Sequence, residues 1–201
     1  MDLFQKCHDF TDAIALREQG AYPYFIPLDK NEGTEVIYEG RRIIMCGSNN
    51  YLGLTTHPKV RQAAINAITE YGTSCTGSRF LNGNMTIIED LEKELAAWVG
   101  KEAALVFSTG MQTNLGTISA LVGKDDFIIM DKEDHASIVD GAFLSGGKIE
   151  RFRHNDMDHL ERVLKSLPVE KGKLLVVDGL FSMEGDIVPL PRMVELCEAY
   201  N

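Results

Sequence analysis

A chain of 201 residues is long enough for one domain or two small ones, and a hydrophobic fraction of 44% allows a buried core. Its net charge of −10 at pH 7 argues against nucleic acid or an acidic membrane as the main partner. The cysteines at 7, 46, 75 and 197 are far apart, form no Cys-x-x-Cys pair and join no Cys/His cluster. Reduced thiols, no metal site and a reducing, cytoplasmic compartment are therefore expected. The opening MDLFQKCHDF lacks a basic region leading into an apolar one, so no signal peptide is expected. No apolar run approaches the length of a membrane span.

In chain order, Phe4, Cys7, Phe10 and Ile14 predict a helix over 3–19 ended by Gly20. TEVIYEGRRIIM predicts a hairpin turning at Glu39-Gly40. SNNYLGL, 48–54, is a loop, and HPKVRQAAINAITEYG is an amphipathic helix stopped by Gly72. GTSCTGSRFLNGN, 72–84, is rich in small residues and without periodicity, so its backbone turns tightly or approaches something closely. Thr86 and Glu89 have the spacing of a capping box for a helix running to Gly100.

Beyond Gly100 the pattern alternates. EAALVFS, DFIIMD, KIERFRH and KLLVVDG read as strands, and the segments after them as helices. Such alternation predicts an α/β fold, a largely parallel sheet with flanking helices. The runs LVF, FIIM and LLVV suit strands covered on both faces. Ligands of such sheets sit outside the carboxyl ends of the strands. Ser108-Thr109-Gly110, Lys132 to His135 and Asp178 to Asp186 all fall there, so three polar clusters are placed to converge on one ligand.

FSTGMQTN, 107–114, is either an ordinary helix cap or a helix start whose free N–H groups hold a phosphate. His135, at a strand-to-helix transition, is either a cap or a ring that stacks on a flat ligand and exchanges protons. FSMEGD, 181–186, is a plain turn or a loop offering the Ser182 hydroxyl to that ligand. SNNYLGL is a glycine turn or a loop whose Asn49 amide binds a carboxylate.

Taken together and in order, SNNYLGL, GTSCTGSRFLNGN, LEKELAAWVGKEAALVFSTGMQTN, DHASIVDG, HNDMDHL and DGLFSMEGDIVPL resemble the α-oxoamine synthases from about Tyr22 to Asn201. GSRFLNG, FSTGMQTN and FSMEGDIV are most similar to the bacterial serine palmitoyltransferase branch. The resemblance implies pyridoxal 5'-phosphate on the fold-type I scaffold, in a homodimer with active sites at the interface. It implies a decarboxylative condensation of an amino acid, serine on this branch, with an acyl-CoA. The glycine C-acetyltransferase and 8-amino-7-oxononanoate synthase branches stand as alternatives. By the same resemblance Gly110 and Met111 lie near the cofactor phosphate, Met111 standing where relatives often carry an aromatic residue. His135 is the catalytic histidine that stacks on the pyridine ring, Ser182 contacts the cofactor, and Asn49 and Ser78 lie near the amino acid and its carboxylate.

The resemblance also marks departures. None of the chain's eleven lysines has the sequence context of the family's Schiff-base lysine, and the resemblance places the family's Asp-x-x-His segment on a strand after the helix that ends near Tyr200, past these residues. The expectation is an N-terminal part of a longer enzyme: a helix, hairpin and loop segment over 1–55 and an incomplete large domain over 56–201. A non-catalytic partner subunit and a standalone small-ligand or phosphate-binding module are the alternatives, the last disfavoured by the unpaired sheet edge it would leave.

Overall fold

The computed structural model describes residues 2–200, and residues 30–32 by backbone alone. The chain divides into two units, Met1–Ser78 and Arg79–Asn201.

In the first unit the single helix expected over 3–19 is two, α1 (Gln5–Asp9) and α2 (Asp12–Glu18), separated by Phe10 with an extended ψ of 94°. Phe4, Phe10 and Ile14 are exposed, so no packing holds one continuous helix together, and short helices without packing are marginal. α2 ends as expected at Gly20, with φ of 67°. There Gly20 N–H donates to the Arg17 carbonyl at 3.0 Å and Ala21 N–H to that of Leu16 at 2.9 Å, a Schellman cap.

The hairpin forms as expected. β2 (Glu35–Tyr38) pairs antiparallel with β3 (Arg41–Ile44), and Glu39 and Gly40 both have positive φ, the backbone of a type I′ turn. A short strand, β1 (Lys30–Glu32), adds to the other edge of β2. Its KNE sequence has no alternation to announce it. α3 (Pro58–Tyr71) starts with Pro at its first position and His57 accepting from Lys59 N–H, and Gly72 ends it. Its apolar Val60, Ile65 and Ile68 are exposed, and Val36 is the unit's one buried hydrophobic among the described residues.

The second unit begins with α4 (Thr86–Val99). The expected capping box does not form. Met85 is the N-cap, which makes Thr86 the first helical residue, one position too late for its hydroxyl to serve as cap. Glu89 instead accepts from the Asn84 amide at 2.7 Å. The segment EAALVFS is not a strand. It runs without a ladder partner among the described residues, and Leu105 is exposed. Its hold on the unit is a side-chain one: Arg79 forks onto Glu92, and Glu92 accepts from Val106 N–H at 2.8 Å.

The sheet comprises β4 (Phe127–Asp131), β5 (Lys148–Phe152) and β6 (Lys173–Val176), all parallel in the order β5-β4-β6. β4 is buried along its whole length. Its alternate side chains serve two cores. Ile128 and Met130 join Ile118 of α5 (Gly110–Leu121) and Ile138 and Ala142 of α6 (Ala136–Ser145). Phe127 and Ile129 join Leu160 and Leu164 of α7 (Met157–Ser166) and Met193 and Leu196 of α8 (Leu190–Tyr200). α5 and α6 approach closely because Gly141 has no side chain: a Cβ there would stand 3.1 Å from the Asn114 carbonyl oxygen. LLVV is only half-buried, because β6 is an edge. No helix among the described residues is long and apolar enough to cross a membrane.

Two outcomes are expected. Ile129→Ala opens a cavity under β4 and lowers stability by about 2–5 kcal/mol, whereas Ile68→Ala on exposed α3 stays within about 0.5 kcal/mol; urea midpoints separate the two. The charged side chains of β5 blunt its edge, while KLLV leaves β6 a more apolar one, and large hydrophobics of the chain are exposed. The chain should therefore self-associate, with elution volume falling as concentration rises; a monomer with reversible two-state unfolding at micromolar concentration would contradict this.

Candidate functional site

The carboxyl end of β4 carries two carboxylates that the fold takes out of water. Asp131 is fully buried. Its Oδ1 accepts from Glu133 N–H at 2.9 Å and lies 2.9 Å from His154 Nδ1, and its Oδ2 accepts from Asn155 N–H at 2.9 Å. Asp134 is 8% exposed. One of its oxygens accepts from Asp131 N–H at 2.8 Å, the other from Asp178 N–H at 3.0 Å. Burial pushes the Asp134 carboxyl up to about 7, against the pull of those two donors. Asp178 in turn accepts from His135 N–H at 2.8 Å. The loops after β4 and β6 are thereby stitched in both directions.

His135 sits on this stitch as the N-cap of α6. Its Nδ1 accepts from Ser137 N–H at 3.1 Å and is 2.8 Å from the Ser137 hydroxyl. That hydroxyl accepts from the Asn114 amide of α5 at 2.8 Å, which leaves its own proton for Nδ1. The neutral ring therefore carries its proton on Nε2, and the residue is exposed. Capping uses only Nδ1, so the cap leaves Nε2 free of that duty.

Thr109 is the N-cap of α5, its hydroxyl accepting from Gln112 N–H at 3.1 Å. The N–H groups of Gly110 and Met111 have no partner among the described residues. A Cβ on Gly110 would meet nothing within 4 Å, so the helix start is open. Two free donors at the positive end of a helix dipole form an anion cradle.

FSMEGD is a tight turn closed by Phe181 N–H to the Asp186 carbonyl and Gly185 N–H to the Phe181 carbonyl, both 2.9 Å, with Leu180 bridging Ile187. Phe181 is fully buried, while Ser182 and Met183 stand exposed on the turn. The Ser182 hydroxyl has no partner among the described residues. His154 spans the turn and the strand end. Its Nε2 is 3.2 Å from Asp186 Oδ2, and its ring meets Phe181 edge-on at 4.5 Å between centroids.

Within this unit, hydrogen bonds link the α5 helix to the His135 cap through Ser137, and the His135 loop to the loop of Ser182 through Asp134 and Asp178. Asn49 and Ser78 belong to the other unit. There the Asn50 amide holds the loop by bonding Thr55, and Ser48 accepts from Asn50 N–H. Asn49 is left exposed beside an open hollow of about 650 Å³ lined also by Tyr51 and Leu54. Ser78 is exposed. Asn114, Ser137, Asp131 and His154 escape sequence reasoning, and Asp134 is anticipated only as a member of the 132–135 cluster. Asp131, closing the apolar run FIIM, and His154, opening HND, were the available signals. Among the described residues no group of His, Cys, Asp and Glu is placed to hold a metal ion.

Residues 41–201 match the family Aminotransferase class I and II. A serine palmitoyltransferase of Sphingobacterium spiritivorum is 50% identical over 199 residues, covering 99% of this chain and 50% of that protein. An 8-amino-7-oxononanoate synthase of Geobacter sulfurreducens is 45% identical over 186 residues, covering 92% and 48%. Among solved structures, a serine palmitoyltransferase from S. paucimobilis with bound PLP and myriocin matches with a TM-score of 0.95 at 37% identity, covering 100% of this chain and 51% of that one. The serine palmitoyltransferase of Sphingomonas wittichii matches with 0.91 at 42% identity and the same coverage. The chain spans about half the length of the relatives it matches. Its parallel sheet with flanking helices is that of the fold-type I enzymes, and the chain belongs to the aminotransferase class I and II family, on its α-oxoamine synthase branch.

Proposed function

We propose that this chain is the phosphate- and ring-binding part of a pyridoxal-phosphate-dependent acyltransferase that condenses serine with a long-chain acyl-CoA, with loss of carbon dioxide. The observation that carries the reading is the linked site of the second unit: the open start of α5, the outward His135 and the unpartnered Ser182. The 50% identity to a serine palmitoyltransferase supports the choice of substrates. A homodimer in the cytoplasm is part of the proposal.

The residues present suit the cofactor's chemistry. Gly110 and Met111 offer two N–H donors to a phosphate, Ser182 offers a hydroxyl, and His135 offers a ring whose tautomer is set from behind. Pyridoxal phosphate supplies, when bound, an electron sink for a carbanion beside an amino-acid nitrogen. His135 would flank the ligand and hold a proton at Nε2. Asn49 and Ser78 are proposed to bind the amino acid and its carboxylate, Asn49 because Asn50 already does the structural work of the loop. The domain division at 1–55 and 56–201 is kept as part of this reading, with the large domain incomplete. The 45% identity to an 8-amino-7-oxononanoate synthase supports a second reading, in which the same site serves another amino acid and acyl-CoA.

Gly110→Pro tests the cradle. Proline is favoured at the first helical position, and Thr109 has the extended backbone that a following proline requires. The variant should keep its unfolding midpoint and bind pyridoxal phosphate about 10- to 100-fold more weakly, the loss of one charge-assisted bond; unchanged binding contradicts the cradle. In the 201-residue chain binding should be non-covalent, because no lysine has the family's context. Borohydride reduction with peptide mapping should label no single lysine stoichiometrically. For substrate choice, a protein of family length carrying this sequence should release CoA with higher kcat/KM from serine and palmitoyl-CoA than from glycine and acetyl-CoA or from alanine; the reverse order rejects the serine reading.

A further inference from the structure

The turn that carries Ser182 is exposed on most of its surface and belongs to no sheet. Backbone bonds close it on itself, but they do not fix it to the strand end. Its attachment comes from Asp178 at its base, from Phe181 buried beneath it, and from Asp186 at its far side. His154 touches two of these three anchors and the buried Asp131 as well.

We propose that His154 is the positioning residue for Ser182: held between buried Asp131 and exposed Asp186, with its edge on Phe181, it fastens the 178–187 loop to the end of β4.

The stoichiometry of an imidazole makes this a conditional anchor. A neutral ring has one N–H and can donate to one carboxylate; an imidazolium donates to both. The charged groups facing the ring are Asp131 from β4 and Asp186 from the loop after β6. Asp131 is fully buried, so its bond from Nδ1 is the costlier one to give up. The proton lost on deprotonation is therefore the one on Nε2, and the bond lost is that to Asp186. The structure provides a substitute partner for that state. The Asn155 amide nitrogen lies 3.4 Å from Nε2 and can donate to a bare lone pair. Asn155 is itself held at a positive φ of 50°, its N–H bonded to Asp131. The neutral ring thus remains seated between Asp131 and Asn155 while the loop loses its Asp186 tie.

The bond to Asp131 is the largest cause holding the His154 pKa above the usual histidine value, with Asp186 adding to it and burial opposing. A raised folded pKa places the anchored state on the acid side. Anchoring is complete below the ordinary histidine value and is lost as pH rises through the raised one.

The role assigned to the Ser182 hydroxyl rests on the pyridoxal phosphate reading, whereas the anchor does not, so the test is made without cofactor. The 201-residue chain, labelled with ¹⁵N, is titrated by NMR, following the ring nitrogens of His154 and the hydrogen-exchange protection of the Phe181 and Gly185 amides. The expected result is an imidazolium at low pH, an Nδ1–H tautomer at high pH, and a fall of about 10-fold in protection of both amides with the same midpoint as the ring. Asp186→Ala, which removes the acceptor at an exposed side chain, should lower the ring midpoint and keep loop protection low at every pH. His154→Gln should remove the pH dependence that shares the ring's midpoint, leaving that of Asp134, which titrates at about 7 and holds Asp178 N–H at the base of the loop. The proposal is overturned if the ring titrates while the loop amides stay protected, or if Asp186→Ala leaves both midpoints in place. Binding of pyridoxal phosphate at pH below and above that midpoint is measured separately. Absence of binding at both values rejects the cofactor reading and leaves the ring-and-loop result to decide the anchor.

Discussion

Two carboxylates buried at the end of β4 are the constraint on which the site depends. Taking Asp131 and Asp134 out of water is costly unless every oxygen finds a donor. The donors available are backbone N–H groups of Glu133, Asn155, Asp131 and Asp178, together with the His154 ring. Satisfying the carboxylates therefore dictates the paths of three loops. His135 and Ser182 hold their places because chain segments beside them are tied into this buried network. Exposed side chains are free to meet a ligand only where something rigid stands beneath them.

The same strand accounts for why the second unit has a core and the first scarcely does. β4 is covered on both faces, with Ile128 and Met130 toward α5 and α6 and Phe127 and Ile129 toward α7 and α8. No element of the first unit is sandwiched in this way, and Ile14, Leu16, Val60, Ile65 and Ile68 of α2 and α3 are exposed. A helix predicted from spacing alone, such as 3–19, breaks in two when its apolar stripe has nothing to pack on. EAALVFS likewise has the composition of a strand and no neighbour to pair with. Propensity proposes an element, but a ladder needs a second strand.

Much of the architecture was legible in the residues. Alternation of apolar runs with periodic segments announced the parallel sheet, Glu39-Gly40 announced the hairpin, and Gly20, Gly72 and Gly100 marked helix ends. The positions of Gly110, His135 and Ser182 were legible too, since each sits at a loop or a helix start. The bonds between them were not. Asn114 and Ser137 are 23 residues apart, His135 and Asp178 are 43 apart, and His154 and Asp186 are 32 apart. No local pattern reports a pairing across such a distance, and an aspartate after an apolar run looks like any strand terminus until its burial is known.

By itself, then, the sequence determined which segments become helix or strand where packing agrees, where the chain turns, and which residue types stand at the strand ends. Those follow from side-chain period, glycine's access to positive φ and the chemistry of caps, all of which act within a few residues. Tertiary structure alone decided which nitrogen of His135 carries the proton, which asparagine of Asn49 and Asn50 is left free, and that His154 lies between two carboxylates. These depend on which group comes within about 3 Å of which other, and that is settled only when the sheet and its helices bring distant segments together.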